Sequence, residues 1–123
     1  MRNISCDEIV KNFIEFATIQ GESMLEGDFK QNNKMVKKLN KLSTMLRSEP
    51  SLSKEVYKVL ISKDTLQRYP QAAALAACDC LRQRLYINEA LKVLKISSRR
   101  DNILGFGPGM ALKIWSEKGK LDD

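Results

Sequence analysis

The segment QAAALAACDCL, Gln71–Leu81, decides how the rest of the chain is read. Six of its residues, Ala72, Ala73, Ala74, Ala76, Ala77 and Cys78, are small. Alanine is the best helix former, and small side chains let neighbouring helix axes approach closely, so the segment predicts a central buried helix. One residue breaks the pattern: Asp79 is charged in the middle of that helix.

Working outward, each flanking segment carries helical periodicity. Ser5 and Glu8 form a capping box, and Ile9, Phe13, Phe16 and Gln20 follow as an apolar stripe. This first helix is expected to run through Met24 and Leu25 to Gly27. Asp28 and Gln31 repeat the capping pattern, and Phe29, Val36, Leu39, Leu42 and Leu46 predict the buried face of a long second helix. Pro50 is expected to close it, since proline pushes its predecessor out of the helical region. A third helix is predicted over Leu52–Ile61, the fourth is the alanine-rich one, and a fifth covers Ile87–Ile96. The sixth has Pro108 in its first turn, Met110 to Trp115 as its body and Gly119 as its stop. No stretch alternates with period two for long enough to predict a strand.

YKVL at Tyr57–Leu60 recurs as LKVL at Leu91–Leu94. Each copy is followed by a loop, a proline (Pro70, Pro108) and an Ala-Leu pair (Ala74-Leu75, Ala111-Leu112). Two helix-loop-helix copies after two longer helices predict an all-α fold, about six helices forming a curved, HEAT-like stack of antiparallel pairs. The chain, residues 1–123, is read as a single domain, large enough to bury one core.

Chemistry is sparse in this sequence. There is no histidine, which removes the commonest acid/base group at neutral pH and every Ser-His or Cys-His pair. Of the three cysteines, Cys78 and Cys80 are two apart, about 200° round a helix, and cannot share one ion. The glycines Gly105, Gly107 and Gly109 suggest a phosphate loop. A dinucleotide fingerprint, however, needs a preceding strand and an acid some twenty residues on, and a P-loop ends in Gly-Lys-Ser/Thr where this chain has Gly109-Met110-Ala111. We therefore read the glycines as an insertion loop supplying unusual φ angles before the last helix, and expect no enzyme, no cofactor and no metal. Trp115, on one face with Ala111 and Leu112, is expected in the core.

Charge is unevenly spread. Up to Asp28 the chain has two basic residues, Arg2 and Lys11, against Asp7, Glu8, Glu15, Glu22, Glu26 and Asp28, net −4 out of a formal total of +6; the remainder carries +10. Glu15, Glu22 and Glu26 are a candidate partner-binding acidic face. Lys34, Lys37, Lys38 and Lys41 fall within about 100° of the second helix, turned away from its leucines. With Arg99 and Arg100 they form an alternative basic face for nucleic acid. No run approaches the roughly 20 apolar residues of a membrane span, and Met1 to Ser5 leads straight into charged residues rather than a signal segment. A cytoplasmic protein, monomeric when free, is expected.

Phe16-Ala17, Gln20, Leu25-Glu26-Gly27-Asp28, Asn32, Leu46, Leu60, the Ala73–Ala77 helix, Ala90 to Leu94 and Gly107 to Ala111 together resemble a bacterial family of small uncharacterised all-helical proteins with a HEAT-like arrangement. The likeness spans about residues 8 to 116 and rests on helix-packing positions. The family's Val-Arg pair after the proline is Ala72-Ala73 here, so no role for that arginine carries over. Chains of this kind also resemble some immunity proteins of contact-dependent growth inhibition. That resemblance implies a non-catalytic module that binds and neutralises a toxin domain encoded beside it, possibly a nuclease. The alternative is a nucleic-acid-associated accessory protein.

Overall fold

The computed structural model describes residues 5–121. Arg2, counted in the charge of the amino-terminal segment, lies outside them. Among the described residues the chain is all-helical: α1 (Cys6–Glu26), α2 (Phe29–Arg47), α3 (Pro50–Leu60), α4 (Lys63–Arg68), α5 (Pro70–Gln83), α6 (Ile87–Ser97), a 3-10 turn (Ile103–Gly105) and α7 (Phe106–Lys118). Helices α1 and α2 form a hairpin, made possible by Gly27 at φ 73°, a left-handed conformation that glycine adopts without strain. The capping residues act as expected: Ser5 Oγ accepts from the Glu8 amide and Asp28 Oδ1 from the Gln31 amide.

The alanine-rich helix α5 is central. It packs on α1, α3, α4, α6 and α7, and Ala72, Ala73, Ala74, Ala76 and Ala77 are all buried. Phe13, Leu39 and Leu94 close the same core, with the Phe13 ring edge-on to Tyr57. The two repeated units are both packed helix pairs, α3 with α5 and α6 with α7. Helix α1 also reaches α5 and the 3-10 turn, which draws the stack together around α5.

Five expectations need correction. Pro50 does not end the second helix, which stops at Arg47; it opens α3 at the first helical position, where its missing N–H is no loss. A seventh helix, α4, lies between the third and the alanine-rich one. Phe29 and Val36 are exposed, at 76% and 36%. The buried face of α2 is instead centred on Met35, Leu39 and Leu46, one position further round, and Phe29 sits at the hairpin end, where α1 has already stopped. Gly105, Gly107 and Gly109 are not held at positive φ, which among glycines is confined to Gly27 and Gly119. Gly105 is needed for another reason: a Cβ there would lie 2.5 Å from the Arg100 carbonyl oxygen. Trp115 is half-buried rather than enclosed, with the Arg84 guanidinium 5.7 Å from its ring centroid.

Candidate docking groove

Between α2 and α7 the molecule leaves an open trough of about 430 Å³, floored by α1 and α5. Its middle is apolar, with Phe13, Ala74, Leu75 and Cys78 on the floor, Val36 and Leu39 on the α2 side, and Met110, Ala111 and Ile114 on the α7 side. Val36 and Met110 are exposed along the lips, and Phe106, which opens α7, is 69% exposed. Leu121, beyond the last helix, folds back and is buried at the trough's edge. The exposed position of Val36 follows from this shape: it lies on the apolar side of α2, over the gap that no helix fills.

A polar network closes each end. At one end Asp79 is buried, and its carboxylate is fully engaged: Ser43 Oγ and Tyr57 OH donate to Oδ2 at 2.6 and 2.9 Å, and Arg82 Nη1 donates to Oδ1 at 2.9 Å. A buried carboxylate needs such donors to offset its lost hydration. The nearby carboxylate and, above all, burial push the Tyr57 phenol well above its ordinary range. Burial likewise pushes the Cys78 thiol up to about 11 and the Cys80 thiol higher still, so both are neutral at physiological pH. At the other end, Arg100 Nη1 donates to Gln71 Oε1, Gln71 Nε2 to Gln20 Oε1, and Gln20 Nε2 to Asn32 Oδ1. This amide chain runs from the loop after α6 through α5 and α1 to α2.

The residues singled out in the sequence lie elsewhere. Glu15, Glu22 and Glu26 are exposed on α1, on the side turned away from Phe13 and Gln20 and therefore away from the groove. Lys34, Lys37, Lys38 and Lys41 are exposed on α2. Lys38 is not free, since its Nζ sits 5.0 Å from the centroid of the Phe16 ring. The arginine pair is split: Arg99 is exposed, whereas Arg100 is half-buried on Gln71. None of these residues lines the groove, although Lys37 and Lys41 flank its α2 side beyond Asn40, and sequence reasoning missed the groove. Asp79 was the available signal, because a charge on a small-residue core helix must have partners. Among the described residues no three His, Cys, Asp or Glu side chains converge as a metal site, and no helix is long and apolar enough to cross a membrane. Comparison with known protein families, curated proteins and solved structures finds no match to this chain.

Proposed function

We propose that this chain is a protein-binding module and that its partner binds in the α2–α7 groove. The observation that carries this reading is the trough itself: apolar in the middle, with Val36 and Met110 exposed at its lips and a satisfied polar network at each end. That is the layout of a surface that receives an apolar side-chain row from another protein.

The sharpest form of the reading is an immunity protein that neutralises a toxin domain encoded beside it, supported by the resemblance and by the −4/+10 division of charge. If the toxin is a nuclease, its basic substrate channel is complementary to the exposed glutamates of α1, which then steer the encounter. Co-expression tests this. Cells making the neighbouring toxin domain survive with this protein and die without it; equal killing in both, with both proteins expressed, overturns the immunity form. Met110→Glu should abolish protection, whereas reversing Glu15, Glu22 and Glu26 to lysine should slow association and change its salt dependence without releasing the bound partner faster.

One observation favours a second reading, nucleic-acid binding: among the described residues Lys34, Lys37 and Lys41 are exposed on one face and carry no ion pair. Replacing them and Lys38 by glutamine would then flatten the slope of log affinity against log salt by up to about 0.9 per lost phosphate contact on duplex DNA. No mobility shift at low salt removes this reading.

A further inference from the structure

We infer that the groove takes an amphipathic helix with acidic flanks; this rests on the protein-binding reading above. Two observations set the occupant's chemistry. The first is charge. The carboxylate lining the groove, Asp79, has both oxygens engaged within the protein, whereas Asn40 on the α2 lip adjoins a shallow surface bearing Lys37 and Lys41. The positive charge at the lip is therefore left for an acidic partner to complement.

The second is length. From Gln71 to Arg82 the floor follows α5 for eleven residues, about 16 Å at the helical rise, or three turns. That span suits anchors at i, i+3 or i+4, and i+7 of one docked helix.

The test is a display selection on the full chain from a library of helical 16-residue peptides. The peptides carry apolar anchors at this spacing, with flanking positions drawn from Glu, Lys, Gln and Ser. The expected result is enrichment of glutamate at the flanks. The selected peptides, added as free ligands, should slow maleimide labelling of Cys78 in the groove but not of Cys6. Lys37→Glu with Lys41→Glu should weaken them about tenfold, as two exposed charge pairs turned from attraction to repulsion. Met110→Glu, exposed on the α7 lip, should weaken the same peptides while leaving the melting temperature unchanged, a pairing of effects that general misfolding does not produce. Enrichment of lysine or of neither charge, no binder at all, unprotected Cys78, or binding indifferent to Met110→Glu each overturns the inference. Dimerisation of the free chain through this face would do so too. Failure here is separable from failure of the wider reading: a cognate protein that still binds, with its footprint on α1, leaves the protein-binding function standing and removes only the acidic helix.

Discussion

At the scale of single residues, Asp79 governs the floor of the molecule. Removing its carboxylate as Asp79→Ala strands Ser43, Tyr57 and Arg82 together, and the expected cost in urea unfolding is about 3 to 5 kcal/mol. Tyr57→Phe removes one donor and keeps the ring against Phe13; its expected cost is about 1 kcal/mol. Equal losses for the two variants would contradict this assignment. The same neighbourhood sets an alkaline limit. Cys78, Cys80 and Tyr57 all have folded pKa values raised chiefly by burial, so the unfolded chain releases their protons first. Stability is then complete below the unfolded thiol value of 9.0 and falls as pH rises from there through about 11, where Cys78 ionises in the fold. Urea midpoints at pH 8, 9.5 and 10.5 should decline in that order, with Cys78→Ala making the decline shallower. The carboxylate was visible in the sequence, on a helix of alanines. Its partners were not, because Ser43 and Tyr57 stand 36 and 22 positions away and no local pattern links them.

At the scale of elements, the two glycines at the α7 entry are required for different reasons. Gly105→Ala forces a methyl to within 2.5 Å of the Arg100 carbonyl oxygen, backbone that cannot swing aside, and should destabilise by more than about 1 kcal/mol. Gly107 is helical and directly precedes Pro108, whose ring crowds any Cβ at that position, so Gly107→Ala should also destabilise, by less than Gly105→Ala. Thermal melts of both variants should fall, that of Gly105→Ala further. Leu39→Ala, on the buried face of α2, should cost about 2 to 5 kcal/mol. Helices with long apolar stripes or cap residues were legible in the sequence, from Ser5 to Gly27 and from Asp28 onward. Helix α4 was not: six residues with a single large apolar side chain, Leu66, show no period. Phe29 and Val36 were misjudged because periodicity identifies an apolar side without saying whether a neighbour covers it.

At the scale of the whole molecule, the all-helical architecture followed from composition and repetition. The groove did not, since it exists only once α2 and α7 stand on opposite sides of α1 and α5. A far-ultraviolet spectrum dominated by helix, with no strand component, is the expected global signature. The network at Asp79 adds a kinetic property. Ser43 belongs to α2, Tyr57 to α3 and Asp79 to α5, so one carboxylate joins three elements, and α2 cannot lift away without breaking a hydrogen bond to a charged group. The α2 wall of the trough is therefore fixed to its floor. Amide protons of α2, α3 and α5 should exchange with solvent deuterium together, at the rate of global unfolding, while the single-turn start of α7 exchanges earlier. A docking partner then meets a preformed wall, and its observed association rate should rise linearly with concentration, without the plateau that a slow opening step imposes.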